Sequence, residues 1–310
     1  MKSSSKGAWD RALRARAALA FCTLSLLVLV ALFLSPRAAE SAGAASNPAQ
    51  VRPQLPGKFV WFDLLTNDAK AAEAYYAGLF GWTFEVLKGH EPPYKVIREK
   101  GQPIGGLVDM TLRKNDLPES TWLGYVSVPD VDAAAASFKE KGGKVLKEPF
   151  DVAGLARAAV VTDPQRALLG LIRITRGDPP DAPPAAGRFF WIEHMAKDAR
   201  SAMGFYRAVL GYDLMPLDTG VEDLSYFALA RGGKNRGGIY PTPWKELNSN
   251  WLPYVLVADA AAAAEKAKSL GGRVVLAPRA DIRDGSLAIV VDPTGAALAL
   301  QKFPFGKNGK

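Results

Sequence analysis

Two stretches of the chain, Trp61–Trp82 and Trp191–Tyr212, align without a gap. Trp61 pairs with Trp191, Asp63 with Glu193, Asp68 with Asp198, Tyr76 with Tyr206 and Gly81 with Gly211. A constant offset over so many positions marks a duplication, and a duplicated chain folds as repeats of one design. A finer period runs inside each half. Asp68, Asp130, Asp198 and Asp259 each stand eight residues before Tyr76, Phe138, Tyr206 and Ala267, and thirteen before Gly81, Gly143, Gly211 and Gly272. Each Asp follows an apolar run (Val60–Leu65, Tyr125–Val128, Phe189–Met195, Tyr254–Val257) and opens an Ala-rich stretch. A carboxylate accepts from the orphan amides of a first helical turn, and glycine supplies the left-handed residue that ends a helix. The pattern therefore predicts strand, capped helix and glycine stop, four times over.

Short β-patterned segments follow each stop. They are Thr83–Leu87, Tyr94–Arg98 and Ile104–Met110 in the first repeat, and Val274–Leu276, Leu287–Val291 and Ala297–Gln301 in the fourth. Gly105-Gly106 and Gly237-Gly238 hold equivalent places near hairpins, where positive φ or close backbone approach is needed. The unit is βαβββ and the fold class α+β. Residues 176–187, RGDPPDAPPAAG, concentrate proline without an apolar period, which sets a linker between modules at 58–175 and 188–304.

Residues 1–50 stand apart from this scheme. Lys2, Lys6, Arg11, Arg14 and Arg16 precede an apolar run from Ala17 to Leu34, and Ala42-Gly43-Ala44 offers a peptidase small residues. Such a segment is read as a secretory signal or, from its length, as an inner-membrane anchor; both place the remainder in the periplasm or outside the cell. Residues 38–57 read as a flexible spacer. The only cysteine, Cys22, lies in the apolar run, so the exported part has neither a disulfide nor a thiol nucleophile. The net charge of +8 does not imply nucleic acid. Residues 1–57 hold seven Lys/Arg against two Asp/Glu, leaving 32 against 29 for the rest, with no basic stripe carrying exposed aromatics.

The paired units, the segments YYAGLFGW (75–82) and FYRAVLGY (205–212), and the Asp-Pro turns at Asp163 and Asp292 resemble the vicinal oxygen chelate superfamily of glyoxalase, bleomycin-resistance and extradiol dioxygenase proteins. The resemblance covers residues 58–303. It implies two modules, each curling two βαβββ units into an incompletely closed sheet around a cavity, and a divalent metal held by His, Gln or Glu at set strand positions. Those positions here are Trp61, Leu123 and Gly170 in the first module and Trp191, Leu252 and Ala299 in the second. None is a ligand, whereas a catalytic metal needs about three protein donors. No metal or other cofactor is expected at these positions.

Strand alternation then selects the inward residues. Side chains two apart share a face, so Trp61 brings Asp63, Trp191 brings Glu193, Leu123 brings Tyr125 and Ser127, and Leu252 brings Tyr254. Trp61, Tyr125, Ser127, Trp191 and Tyr254 are candidate ligand contacts, and Asp63 and Glu193 candidate catalytic carboxylates. His194 falls on the opposite, helix-packed face, and His90 in the loop GHEPP. The loop Arg231–Gly238 has the composition of a phosphate cradle without a following helix, so it reads as a hairpin turn. Trp244 and Trp251 flank an insertion, PTPWKELNSN, read as a lid or a protein contact. The expectation is an exported protein that binds a small organic molecule without metal, as a sequestering protein or as a lyase or isomerase. The alternatives are a metalloenzyme with ligands rebuilt from Asp63, Glu193, His194 or His90, and a non-catalytic surface domain that binds a partner.

Overall fold

Each of the four aspartates caps a helix. A computed structural model of the chain describes residues 51–88, 90, 92–113, 119–152, 154–216, 226–244 and 248–302. Helices α1 (Ala69–Phe80), α2 (Val131–Glu140), α3 (Ala199–Leu210) and α4 (Ala260–Ser269) begin after Asp68, Asp130, Asp198 and Asp259. Their carboxylates accept from the amides of Ala71, Ala133, Ser201 and, for Asp259, both Ala261 and Ala262. Helices α1 and α3 stop on left-handed Gly81 and Gly211, as the sequence predicts. The other two stop sooner than expected. Lys141 and Leu270 are the C-caps, and the left-handed glycines are Gly142 and Gly271. Gly143 has a different reason to be glycine: a Cβ there would run into the backbone oxygen of Thr162.

The strands of the first module are β1 (Phe59–Thr66), β2 (Thr83–Val86), β3 (Tyr94–Glu99), β4 (Gln102–Asp109), β5 (Thr121–Ser127), β6 (Lys144–Val152), β7 (Ala156–Thr162) and β8 (Leu168–Ile174). Those of the second are β9 (Phe189–Ala196), β10 (Asp213–Pro216), β11 (Phe227–Arg231), β12 (Lys234–Pro241), β13 (Asn250–Leu256), β14 (Arg273–Leu276), β15 (Leu287–Val291) and β16 (Ala297–Gln301). They form two eight-stranded sheets of identical order, β2-β3-β4-β1-β5-β8-β7-β6 and β10-β11-β12-β9-β13-β16-β15-β14. In each, two βαβββ units meet at one antiparallel seam, β1 with β5 or β9 with β13. Neither sheet closes, since β2, β6, β10 and β14 remain edges.

Alternation along the central strands sorts side chains into two environments. Trp61, Leu65, Leu123 and Tyr125 join a buried cluster on the inner face of the first sheet, and Leu252, Tyr254 and Ala299 one on the inner face of the second. Phe62, Leu64, Trp122, Ile192 and Trp251 point the other way and merge with all four helices into a single core that belongs to both modules. Phe62 and Phe189 stack across it with ring centroids 4.3 Å apart.

The chain around the linker is more ordered than its composition implies. Residues 51–57, expected to be flexible spacer, run against the linker: Arg52 N donates to Arg176 O at 3.0 Å and Asp178 N to Pro53 O at 3.1 Å. Buried Asp178 accepts from the Ser127 hydroxyl and the Leu55 amide, and Asp181 binds Lys58, Lys234 and Arg236. The two carboxylates accept from donors on the segments beside the linker and so hold a stretch whose prolines have no N–H groups of their own to donate. The signal or anchor assigned to residues 1–50 lies outside the described residues. Among the described residues no helix is long and apolar enough to cross a membrane.

Candidate functional site

On the inner face of the first module, Trp61 and Asp63 lie two residues apart on β1 and are both buried. The Trp61 indole N–H is 2.9 Å from Asp63 Oδ1 and 3.0 Å from the Tyr94 hydroxyl, which itself donates to Asp63 Oδ1 at 2.7 Å. Gly106 stands opposite Asp63 in the sheet register. A Cβ at Gly106 would occupy the place of the Tyr94 hydroxyl and the Asp63 carboxylate, so the glycine is what admits the phenol. Tyr125 is buried in the same cluster. Ser127 is not part of this group: its hydroxyl donates to Asp178 of the linker at 2.6 Å, because the strand end where it sits is covered by residues 51–58.

The second module repeats the arrangement and adds to it. The Trp191 indole donates to the Tyr226 hydroxyl at 3.0 Å, and Tyr226 donates to Glu193 Oε1 at 2.8 Å. Gly238, opposite Glu193, leaves room for that phenol as Gly106 does. The longer Glu193 side chain also accepts from Tyr254 and from Arg283. Arg283 in turn donates to Gln301 Oε1 at 3.1 Å, and its guanidinium lies 5.8 Å and 5.4 Å from the ring centroids of Tyr226 and Tyr254. Burial raises the phenol pKa values of Tyr226 and Tyr254, and the charge of Glu193 raises them further, so both stay protonated donors. Burial alone would lower the Arg283 pKa, but Glu193 and the two phenols outweigh it, and the side chain remains a cation.

Access differs between the modules. Trp61 is 1% exposed and sealed, whereas Trp191 is half-buried and shares the rim of its cluster with Phe190, Tyr240, Trp244 and Ile282. The second site thus has an aromatic rim that solvent reaches and a polar group of Glu193, Tyr226, Tyr254, Arg283 and Gln301 beneath it.

These residues do not fit a divalent metal at the positions the fold would use. The Tyr125 ring fills the space that a side chain at Gly170 would need. Leu123, Leu252 and Ala299 are buried among apolar neighbours. Glu193 is committed to two phenols and a guanidinium. Among the described residues, no three His, Cys, Asp or Glu side chains converge. Of the side chains considered for a rebuilt ligand set, Asp63 and Glu193 belong to separate modules, and His194 lies on the outer face, in the shared core.

There His194 Nε2 is 2.9 Å from Asp163 Oδ2, an atom that also accepts from Tyr206 at 3.0 Å. Trp251, read as flanking a lid, is instead buried in that core and donates to the Tyr206 hydroxyl at 3.0 Å. Trp244 does pack at the rim of the second site, although residues 245–247 between them lie outside the described residues. His90 contacts the Lys88 carbonyl at 3.1 Å, in the loop between β2 and β3. Residues 231–238 form the β11–β12 hairpin, with Gly232 and Gly233 at positive φ, as expected.

Sequence reasoning missed Tyr94, Tyr226, Arg283 and Gln301. The first two had a signal, since each Gly-Gly pair asks what approaches it. Arg283 had none, because it stands in a turn that the duplication does not preserve.

Comparison with known proteins agrees with this architecture. Residues 58–171 match the family described as Glyoxalase/Bleomycin resistance protein/Dioxygenase superfamily, and residues 191–300 the family described as Glyoxalase-like domain. A Mycobacterium tuberculosis protein named "Putative glyoxylase CFP32" is 30% identical over 245 residues, covering 78% of this chain and 93% of that protein. The anthracycline biosynthesis protein DauV of Streptomyces sp. (strain C5) is 30% identical over 280 residues, covering 82% and 98%. Among solved structures, the Mn(II)-bound glyoxalase from Novosphingobium aromaticivorans has a TM-score of 0.54 at 17% identity, covering 80% of this chain and 82% of that one, which speaks for the fold alone. Two matched domains, two sheets of one strand order and relatives matched over almost their whole length establish that the chain belongs to the glyoxalase, bleomycin resistance protein and dioxygenase superfamily, as a tandem of two modules.

Proposed function

We propose that this protein binds a small organic molecule on the inner face of its modules without a metal ion. Lyase or isomerase chemistry, worked by its own side chains, would be the catalytic form of that role. The observation that carries the reading is the repeated Trp–carboxylate–Tyr group, Trp61–Asp63–Tyr94 and Trp191–Glu193–Tyr226, built in a fold whose metal positions are apolar. Aromatic walls with a few fixed polar groups are the usual make-up of a small-molecule site. The names of the Streptomyces relatives, which refer to anthracycline biosynthesis, favour a ring-bearing ligand. Export rests on the basic segment and apolar run of residues 1–34.

Elemental analysis of the purified protein tests the metal-free reading, and stoichiometric Fe, Mn, Ni or Zn would overturn it. A thermal-shift screen of small organic compounds, repeated with Asp63→Asn and Glu193→Gln, tests the location. Hits that survive both substitutions unchanged place the ligand elsewhere. A reporter enzyme active only outside the cytoplasm, fused after residue 57, tests export.

A further inference from the structure

We propose that the β11–β12 hairpin and Lys58 form an exchangeable oxyanion site, filled at rest by Asp181 of the linker. A soluble dianion of the phosphate type takes the place of that carboxylate and releases the exposed stretch 180–186. The site is independent of the ligand reading above.

The duplication supplies the comparison. Counted back from Gly106 and Gly238, Gln102 and Ile104 of the first hairpin stand where the second has Lys234 and Arg236. Glu99, opposite Gln102, stands where Arg231 lies opposite Lys234. The first hairpin thus carries its own carboxylate, and Glu99 meets Arg188, at the entry to the second module, at 2.8 Å. Lys58 holds the matching place at the entry to the first module, at the offset that relates Trp61 to Trp191. The hairpin it faces, residues 231–238, has three cations and no carboxylate, so the linker provides one. Asp181 lies 3.1 Å from Lys58 Nζ, 2.8 Å from Lys234 Nζ and 2.6 Å from Arg236 Nη1.

Asp181 has the marks of a stand-in. It answers three cations with a single charge, and burial holds the Lys58 ammonium below its usual pKa even with this carboxylate beside it. The Arg236 side chain is 8% exposed, where its counterpart Ile104 packs against the shared core, and a guanidinium at that depth is costly to keep. Its Nε is buried without an acceptor, so the cluster is one bond short. Asp181 itself is within reach of solvent, and residues 180–186 are all exposed, so the carboxylate can leave while Lys58 keeps the Pro179 carbonyl at 2.7 Å. The ligand class follows from this deficit. A phosphate dianion brings a second charge and a third oxygen, enough to accept from the guanidinium and from a lysine together. Because Asp181 is tethered, the free anion competes with an effective concentration on the order of millimolar.

The test uses the full chain, with inorganic phosphate as the probe and sodium chloride holding the ionic strength constant. Binding is read from the phosphorus NMR linewidth, and linker release from the rate at which elastase cuts beside exposed Ala185 and Ala186, seen as module-sized fragments. The wild type should bind phosphate in the millimolar range, and cutting should rise about three-fold as the site fills, following the population of released linker. Acetate, with one charge and two oxygens, should do neither at the same concentration. Asp181→Asn removes the tethered competitor, so it should bind phosphate about ten-fold more tightly and be cut at the faster rate without it. Lys234→Gln and Arg236→Gln should each weaken binding by about five-fold or more. Lys234 is 58% exposed, so its variant keeps the test open if Arg236→Gln fails to fold. Lys141→Gln, which removes an exposed cation of the first module paired with Glu140, should change nothing. Phosphate binding that survives Lys234→Gln unchanged, an Asp181→Asn protein that binds no more tightly than the wild type, or cutting that ignores bound phosphate overturns the proposal and leaves the inner-face reading untouched.

Discussion

Gly106 and Gly238 show how much a single residue can decide here. Each lies opposite the carboxylate of its module, and each gives its Cβ space to a tyrosine hydroxyl. Gly238→Ala should expel Tyr226 from Glu193 and leave the Trp191 N–H without its acceptor. The expected cost is about 2–4 kcal/mol, combining overpacking with a stranded buried polar group, read as a lower denaturation midpoint. A methyl added at Gly204, in the middle of α3, would meet nothing within 4 Å, and Gly204→Ala should instead stabilise by about 0.5–1 kcal/mol. Opposite signs for the same substitution separate a glycine kept for space from one that is merely tolerated. The sequence marked Gly105-Gly106 and Gly237-Gly238 as places of positive φ or close approach. None of the four has positive φ, so close approach is the answer, and only the fold reveals what approaches: backbone oxygens of Phe62 and Ile192 at Gly105 and Gly237, and tyrosine hydroxyls at Gly106 and Gly238.

At the scale of elements, the four capping aspartates were legible because an N-cap is a local interaction between a side chain and amides two or three residues on. Asp198→Ala should destabilise by about 1 kcal/mol, measured by chemical denaturation. Asp259 accepts from two backbone amides, which hold its carboxyl below the usual range. A carboxyl depressed in the folded state lends stability above its unfolded pKa of about 4 and loses that stability as pH falls through its lower folded value. Asp259→Asn should therefore flatten the acid limb of the stability profile below about pH 4, and an unchanged limb would contradict this role. The left-handed glycines after α2 and α4 fall one residue before those expected because Gly-Gly in each offers two candidates. Packing chose between them, since Gly143 had to stay bare against Thr162.

For the whole molecule, the decisive feature is the core that both modules share. The outer faces of the two sheets and all four helices contribute to it, with α1 against α4 and α2 against α3 across the boundary. Scanning calorimetry should therefore give one cooperative transition, and two well-separated transitions would show modules that stand alone. The linker is bound at Asp181, where burial opposes ionisation but Arg236, Lys234 and Lys58 outweigh it and hold the carboxyl well below the usual range. Asp181→Ala should make residues 176–187 more readily cleaved by protease than in the wild type. What the sequence determined by itself was the repeat, the βαβββ order, the capped helices and the inward parity of Trp61, Asp63, Trp191 and Glu193. All of these depend on neighbours along the chain or on the two-residue period of a strand. What only the tertiary structure decided was which distant groups meet: Arg283 and Gln301 at Glu193, Ser127 with Asp178, and His194 and Trp251 inside the shared core. Those encounters are fixed by sheet register and by how the two modules pack, and no local spacing encodes either.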